Sequence, residues 1–202
     1  MLDAIIHFDK VLFLILNRDI ANPIFDVFFK TITNAKVWII PGVAAALLYL
    51  KMEKKRALPV LVLSVITVCL TDQLAATVIK PLVHRLRPCN LAALVEGGRF
   101  LLGNNSHYSF PSNHAMNMFG QATLFSFFHP RYRRWFFLFA ATIAFSRVYV
   151  GLHYPLDVVA GAVFGVVCGI VVAGLYKGVV LYFKKKRSIR NQASGIQEQS
   201  KS

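Results

Sequence analysis

Long apolar runs constrain this chain more than any other feature. Val158 to Phe183 contains 26 residues with a single charge, Lys177, and Ala57 to Ile79 forms a second run. An α-helix needs about 20 apolar residues to cross the hydrocarbon core of a bilayer, so both runs are long enough to span it. Only 16% of the chain is charged, whereas soluble domains carry about 25%. The sequence therefore excludes an ordinary water-soluble fold.

Three further segments are weaker candidates for membrane spans. They are Trp135 to Val150, Asn113 to Phe128, and Lys36 to Leu50, which we expect to begin upstream at about Ile32. With the two clear runs, they make about five crossings. The sequence therefore predicts an all-α polytopic membrane helix bundle, with five to six transmembrane helices and an N-terminal amphipathic helix.

The N-terminal segment is harder to assign. Its apolar run, Leu2 to Leu16, has 15 residues and carries Asp9 and Lys10 in its middle. Two alternatives are an amphipathic helix in the membrane interface and a short sixth crossing, and we favour the first. The segment does not resemble a cleaved signal peptide, because no basic start precedes the run and no Ala-x-Ala-like site follows it.

The basic residues predict the orientation of the bundle. Lys and Arg number 23 against 9 Asp and Glu, a formal charge of +14. Most of the surplus lies in loops 51–56 and 131–134 and in the tail after Phe183. In a five-span arrangement these regions share one side, which the positive-inside rule makes cytoplasmic. A nucleic-acid partner is disfavoured, because the charges lie in short loops rather than on one folded face.

This organisation divides the chain into three parts. We expect an interfacial segment over 1–34, a transmembrane domain over 35–183 and a basic, disordered cytoplasmic tail over 184–202. The three cysteines have no metal-like spacing, and we expect neither a metal site nor an intramolecular disulfide. The sequence makes no prediction of the oligomeric state.

Three polar clusters lie at span ends that face outward in this arrangement. They read KPLVHRLRP after the second span, PSNH at the start of the third, and SRVYVGLHYPLD between the fourth and fifth. Polar residues this dense at a bilayer edge are costly unless they are paired or functional. Lys80, Arg87 and Arg147 are suited to surround a phosphate, so the clusters predict a site for an anionic substrate.

The remaining residues of these clusters suit phosphoryl transfer. His153 and Asp157 are four residues apart, which puts them on one face of a helical turn. A carboxylate bonded to one imidazole nitrogen fixes the tautomer and leaves the other nitrogen free as a nucleophile. His114 is then available to protonate the leaving oxygen, and Ser112 at a helix start completes the phosphate cradle. The residues alone do not decide which histidine attacks.

With these motifs the chain resembles the type 2 phosphatidic acid phosphatase (PAP2) superfamily. The family signature is K-x6-R-P, then P-S-G-H, then S-R-x5-H-x3-D. The first and third motifs are complete, at Lys80–Pro88 and Ser146–Asp157, whereas the second has Asn113 in place of glycine. The match covers about Leu74 to Gly165, and the substitution adds a side chain beside the expected phosphate.

The resemblance implies a six-helix-type membrane bundle that needs no metal or other cofactor. It implies a covalent phosphohistidine on His153, with Asp157 as the partner of His153 and His114 as the acid and base. The phosphate ligands that it implies are Lys80, Arg87, Ser112, Asn113 (through its backbone) and Arg147.

We therefore expect a phosphatase in the bacterial inner (plasma) membrane, with its active site facing the periplasm or cell exterior and its C-terminus in the cytoplasm. The substrate classes are undecaprenyl diphosphate, the 1-phosphate of lipid A, phosphatidylglycerophosphate and phosphatidate, and the sequence does not rank them. Two alternatives from other classes are an anion or lipid-headgroup transporter and a catalytically silent lipid-binding protein.

Two features outside the motifs allow two interpretations each. Asp72 is either a buried partner for an active-site cation or a polar residue bonded to a neighbouring helix. Asn90 to Leu102 is either a lid or a connecting helix, with a break at Gly97 and Gly98, because each glycine costs a helix about 1 kcal/mol.

We expect Gly161, Gly165 and Gly169 to serve close helix packing. His84, Arg85, His107 and Tyr108 either contact a lipid headgroup or are ordinary surface residues, and we favour the second.

Overall fold

A computed structural model describes residues 2–105 and 107–199. The described residues form eight α-helices joined by turns and short 3-10 segments, without a β-strand, which confirms the all-α prediction. π-helical turns extend the first helix through Asp19 and join the fourth helix to the fifth. The helices are α1 (Leu2–Leu14), α2 (Pro23–Ile32), α3 (Ile39–Glu53), α4 (Ala57–Gln73), α5 (Lys80–Val83), α6 (Asn113–Phe128), α7 (Arg133–Tyr149) and α8 (Pro155–Gln199).

Two stretches of the described chain are long and apolar enough to cross a membrane, Ala35–Val83 and Pro155–Asn191. The backbone of Lys54 has a positive φ of 51°, which ends α3 and separates it from α4. Helices α6 and α7 have 16 and 17 residues, somewhat fewer than the usual span of about 20. The number of crossings therefore stays a prediction.

Helix α6 lies at the centre of the bundle, against α8, α7 and α4. Its contact with α8 is very close, because α8 presents glycines to it. A Cβ atom added at Gly165 would lie 2.2 Å from the backbone oxygen of Met116. A Cβ added at Gly161 would lie 2.6 Å from the backbone oxygen of Ser112, which precedes α6, and one added at Gly169 would lie 2.7 Å from that of Gly120. The glycine stripe is thus helix packing, as predicted, and it holds the start of α6 against the first turns of α8.

The first helix turns two polar side chains towards the protein. Asp9, Phe13 and Asn17, at intervals of four residues, are fully buried, while Ile5 and Phe8 are exposed. Polar residues are exposed as well, at Asp3, His7 and Lys10. The apolar part of the outer side suits contact with lipid. The assignment of this helix to the membrane interface stays a prediction.

Helix α8 continues where the sequence predicts a disordered tail from Lys184. The described helix ends at Gln199, and the disordered cytoplasmic tail stays a prediction. Lys, Arg, Gln and Ala make up much of the tail, and these residues are among the better helix formers. The helix therefore extends at little cost in intrinsic propensity.

A long loop, residues 84–112, joins α5 to α6 and covers the end of the bundle where the motifs lie. Asn17 ties this loop down: its Nδ2 donates to the backbone oxygens of Arg99 and Tyr149 at 2.8 and 2.7 Å, and its Oδ1 accepts from the Arg99 N–H at 2.6 Å. Within the loop, Asn90 to Leu102 forms turns rather than a helix, with Gly97 at a φ of 77°. The predicted break is confirmed, and the connecting-helix alternative is excluded.

Candidate active site

The third motif runs from the last turn of α7, through the turn that follows, to the first turn of α8. The backbone N–H groups of Leu152 and His153 donate to the oxygen of Arg147 at 3.0 and 3.2 Å, which folds the chain back over the end of α7. His153 and Asp157 are only 2% and 0% exposed. Nδ1 of His153 lies 3.6 Å from Oδ2 of Asp157, so the structure brings the predicted pair together.

The carboxylate of Asp157 is held from several directions. Oδ1 accepts a hydrogen bond from Nη1 of Arg85 at 2.7 Å. Oδ2 accepts from the hydroxyl of Ser109 and, at 2.9 Å, from the backbone N–H of Tyr154. Hydrogen bonds to both oxygens fix the plane of the carboxylate, so that Oδ2 is directed towards His153.

Arg85 joins this carboxylate to the N-terminal helix. Its Nη2 donates to Oδ2 of Asp9 at 2.5 Å, and Oδ1 of Asp9 accepts from the N–H of Leu156 at 2.9 Å. The guanidinium also lies 4.1 Å above the ring of Tyr154. Burial by itself lowers the pKa of Arg85. The charge of Asp157 and the hydrogen bond to Asp9 raise the pKa by more than burial lowers it, so the net shift is upward. The expectation that Arg85 is a surface residue is therefore wrong.

Arg87 and Arg147 are buried beside the histidine turn, each 7% exposed. Arg87 donates from Nη1 to the oxygen of Leu152 at 3.5 Å and from Nε to the oxygen of His107 at 3.2 Å. Arg147 donates from Nη1 to Oγ1 of Thr33 at 2.6 Å. Hydrogen bonds to neutral acceptors orient both guanidinium groups, and in the described part of the chain no carboxylate bonds to either.

These positive charges affect His153. Burial, followed by the charges of Arg87 and Arg147, lowers the pKa of His153 to about 4, against the opposing effect of Asp157. The imidazole is therefore neutral near pH 7, which is the form that carries a free nitrogen lone pair.

The other two motifs meet the third at the same place. The backbone N–H of Ser112 donates to the oxygen of Asp157 at 3.0 Å. His114, in the first turn of α6, is within electrostatic range of Arg147, His153, Arg87 and Lys80. The structure thus gathers the predicted site residues into one cluster, although they come from four parts of the chain.

Besides Oδ1 of Asn113, three buried polar atoms of this cluster have no hydrogen-bond partner among the described residues. They are Oγ of Ser112, Nε of Arg147 and Nδ1 of His153. Buried polar groups are normally paired, and a hydroxyl and a guanidinium N–H are donors suited to phosphate oxygens. The described residues contain no grouping of three or more His, Cys, Asp or Glu suited to hold a metal. The cluster therefore favours a tetrahedral anion.

The side chain of Asn113 is directed to α4. Its Nδ2 donates to Oδ1 of Asp72 at 3.1 Å, and Nδ2 of Asn117 donates to the same oxygen at 3.0 Å. Oδ1 of Asn117 in turn accepts from the hydroxyl of Thr71 at 2.5 Å. Asp72 is thus bonded to a neighbouring helix, the second of the two interpretations considered for it.

A largely apolar groove begins beside His114. Its first part, a cavity of about 600 Å³, has Asp72, Asn113 and Asn117 at its polar end. Two more cavities of about 520 and 550 Å³ share Gly42 with the first and continue between α3 and the α6–α7 pair. Among the apolar residues that line the groove are Trp38, Ala45, Met118, Phe125, Phe136 and Phe139.

Asp9, Ser109 and Thr33 contact the cluster but were not predicted from the sequence. For Asp9 a signal existed, since a carboxylate inside an apolar run is costly and implies a partner. Ser109 and Thr33 are ordinary loop and helix-end residues in the sequence, and their roles depend on the path of the chain.

Comparison with known proteins agrees with the motif resemblance. The family model of the PAP2 superfamily matches residues 59–180. The chain is 35% identical over 177 residues to a lipid A 4'-phosphatase of Bacteroides thetaiotaomicron, covering 82% of this chain and 75% of the relative. It is similar to the crystal structure of LpxE from Aquifex aeolicus, with a TM-score of 0.61, 28% identity, and coverage of 80% and 92%. A transmembrane PAP2-type phosphatidylglycerolphosphate phosphatase from Bacillus subtilis shares the fold, with a TM-score of 0.62 at 21% identity and coverage of 87% and 88%.

Proposed function

The chain belongs to the PAP2 superfamily of membrane phosphatases, and we propose that it hydrolyses a lipid-linked phosphate monoester or diphosphate through a phosphohistidine intermediate. The observation that carries this proposal is the setting of His153. Its neutral imidazole lies 3.6 Å from Asp157 and beside two buried arginines, Arg87 and Arg147, whose charges have no carboxylate partner among the described residues.

In the first step, Nε2 of His153 attacks phosphorus and the bond from phosphorus to the lipid oxygen breaks. The negative charge of the bound phosphate favours the protonated form of His114, and His114 donates this proton to that oxygen. The lipid therefore leaves as an alcohol, or as a monophosphate from a diphosphate substrate. Asp157, next to Nδ1, stabilises the positive charge on the phosphorylated imidazole. Lys80, Arg87 and Arg147 oppose the negative charge on the phosphoryl oxygens.

In the second step, His114, now neutral, takes a proton from water. The water oxygen attacks phosphorus, the phosphorus–nitrogen bond breaks, and inorganic phosphate leaves while His153 returns to its neutral form. The two steps need no metal ion, because the three cations supply the positive charge.

The orientation of the bundle is part of the proposal. Oη of Tyr49, near the end of α3, lies 2.8 Å from Nε2 of His129, which follows α6. Basic loops 51–56 and 131–134 therefore lie at one end of the bundle, and the histidine cluster lies at the other. This arrangement supports a cytoplasmic basic end, a cytoplasmic C-terminus, and a site facing the periplasm or cell exterior.

The groove supports a lipid substrate. It is apolar along α3 and opens at His114, so a phosphate in the cluster leaves room for an attached chain in the groove. The relative from Bacteroides thetaiotaomicron is a lipid A 4'-phosphatase, and phosphorylated lipid A is for this reason the first substrate to test.

The test is phosphate release by the purified protein in detergent. The panel comprises lipid A, undecaprenyl diphosphate, phosphatidylglycerophosphate and phosphatidate, each with the wild type and with His153→Ala. We expect release by the wild type and a loss of at least 1,000-fold in the variant, because removing a nucleophile leaves only binding and electrostatic stabilisation. His7→Ala is the matched control, since His7 is exposed on α1.

Trapping the intermediate separates this mechanism from its alternatives. A substrate labelled in its phosphoryl group is allowed to react, and the reaction is quenched in alkali. The wild-type protein should then carry an acid-labile label, and His153→Ala should carry none. Full activity of His153→Ala would overturn the mechanism. Headgroup binding without release on the whole panel would favour the lipid-binding alternative, and transport into vesicles without release would favour the transporter.

A further inference from the structure

A line of polar side chains follows the groove away from the phosphate cluster. Asn113, Asn117 and Gln121 are spaced by four residues and share one side of α6. The two asparagines bond to Asp72, as described above, and Gln121 accepts from the hydroxyl of Ser64 at 2.6 Å. Asp72, Asn113 and Asn117 line the same cavity as His114. This end of the line of polar residues therefore lies next to the proposed proton donor.

A carboxylate within an apolar helix is costly, even when it serves to join two helices. Amide and hydroxyl side chains would join α4 to α6 without a charge, as Gln121 and Ser64 do. Asp72 lies within electrostatic range of Lys80, so an acid at position 72 places a negative charge near that cation and also provides a strong acceptor facing the cavity.

The acceptors of this group are only partly used. Both amide donors reach Oδ1 of Asp72, and no hydrogen bond from the described residues reaches Oδ2. Oδ1 of Asn113 is buried and also has no partner among the described residues. Two acceptors therefore remain for a donor that enters the cavity.

We propose that Asp72, Asn113 and Asn117 form a subsite for the group that carries the phosphate, and that this group bears hydroxyl or N–H donors next to the phosphoester oxygen. The inference rests on the proposed function and narrows its substrate class to phosphorylated sugar or polyol lipids.

The chemistry of the subsite opposes the other substrates. A carboxylate repels a second phosphate and cannot donate to one. An isoprenoid alcohol has no hydroxyl or N–H beside its phosphate, so it would leave these acceptors unpaired, which is the strongest form of discrimination a polar pocket offers. A phosphorylated sugar supplies such donors, and so does a phosphorylated glycerol with a free neighbouring hydroxyl.

The experiment compares kcat/KM for three phosphates with the wild type and Asp72→Asn. The substrates are a phosphorylated glucosamine lipid, phosphatidylglycerophosphate and undecaprenyl phosphate. For the wild type we expect the sugar phosphate to exceed the undecaprenyl phosphate. In Asp72→Asn we expect the ratio of these two kcat/KM values to fall by roughly 10- to 100-fold, the usual effect of losing a hydrogen bond to a charged acceptor.

Thr67→Val is the matched control. Thr67 is also buried on α4, and among the described residues its hydroxyl bonds only to the oxygen of Leu63 in the same helix. Its substitution should leave the substrate ratio within twofold. If Asp72→Asn does not fold, the wild type is tested instead with a deoxy analogue of the sugar phosphate. Its kcat/KM for this analogue should be lower by a similar factor than for the sugar phosphate.

The outcomes separate the subsite from the phosphatase. An equal loss on all three substrates, no loss on any, or a wild type that prefers the undecaprenyl phosphate would overturn the subsite and leave the phosphatase intact. A preference for phosphatidylglycerophosphate over the sugar phosphate would assign the donors to a polyol. If no substrate is hydrolysed, the proposed function fails, and the subsite is then judged by binding of the dephosphorylated sugar lipid, which Asp72→Asn should weaken.

Discussion

Nη1 of Arg85 lies 2.7 Å from Oδ1 of Asp157, and the same guanidinium reaches Asp9 with its other arm. The carboxylate that faces His153 is therefore oriented by a residue at an unspecified position of the first motif, and this residue is anchored on the first helix. A phosphohistidine mechanism needs Asp157 to keep one orientation while charge develops on the imidazole. Arg85 is suited to provide that constraint.

Arg85→Ala should lower kcat by roughly 10- to 100-fold with a much smaller change in KM, because residues that orient a catalytic partner have effects of this size. Arg85→Lys, which retains the charge but cannot bond to both carboxylates, should recover only part of the loss. Steady-state phosphate release measures both parameters. Arg131→Ala, in the loop after α6, is the control and should retain full activity. An unchanged kcat in Arg85→Ala would contradict the positioning role.

Asp9→Asn should mainly lower stability. Asp9 is fully buried and bonds both to Arg85 and to the backbone of Leu156. Asparagine keeps the backbone bond but loses the ion pair, which we expect to cost about 2 kcal/mol, or roughly 4–8 °C in Tm. Thermal unfolding in detergent measures the effect. Asp3→Asn, at an exposed position of the same helix, should leave Tm unchanged, and equal shifts in the two variants would contradict the assignment.

The low pKa of His153 predicts a loss of stability in acid. The pKa is about 4 in the folded protein against an ordinary value of 6.5. Between these values the unfolded chain binds a proton that the folded chain does not, so the free energy of unfolding falls as the pH drops from about 6.5 to 4. Tm measured across this interval should decrease. His153→Gln, which does not titrate, should show a shallower decrease, and an identical slope would exclude His153 as the source.

Chelation should leave the activity intact. In metal-dependent phosphatases the ion stabilises the charge of the transferred phosphoryl group, a role that Lys80, Arg87 and Arg147 perform in the proposed mechanism. Phosphate release should therefore survive dialysis against EDTA. Vanadate, an analogue of the transition state of phosphoryl transfer, should inhibit phosphate release. A loss in EDTA that magnesium or another divalent ion restores would contradict the metal-free mechanism.

The parts of the site that could be predicted from the sequence depend on local spacing. His153 and Asp157 are four residues apart, so helical geometry alone brings them together. The glycines of α8 are predictable for the same reason, since their period matches one helix face. The contact of Arg85 with Asp157 spans 72 positions and depends on how the loop 84–112 is folded, which no spacing rule describes.

The first helix shows a second limit of sequence reasoning. An apolar run with Asp9 in its middle is consistent with an interfacial helix, whose polar residues would face water. In the structure two of its polar residues face the bundle, because Asp9 and Asn17 have partners on α8, α7 and the long loop. The choice between water and protein as partner is a tertiary property, and hydropathy does not distinguish the two.

The closeness of α6 and α8 leads to a last prediction, on Gly165→Ala. The added Cβ would lie 2.2 Å from the backbone oxygen of Met116, so α6 must shift, at a cost of about 1–3 kcal/mol. Because Ser112 and His114 are carried by the start of α6, the shift should also reduce phosphate release. Gly174→Ala is the matched control on the same helix, since nothing lies within 4 Å of its Cβ position, and alanine there should preserve or slightly raise Tm. Tm is measured for both variants in detergent. Equal Tm values would show that the helices separate without cost and that close packing of α6 on α8 does not hold the site.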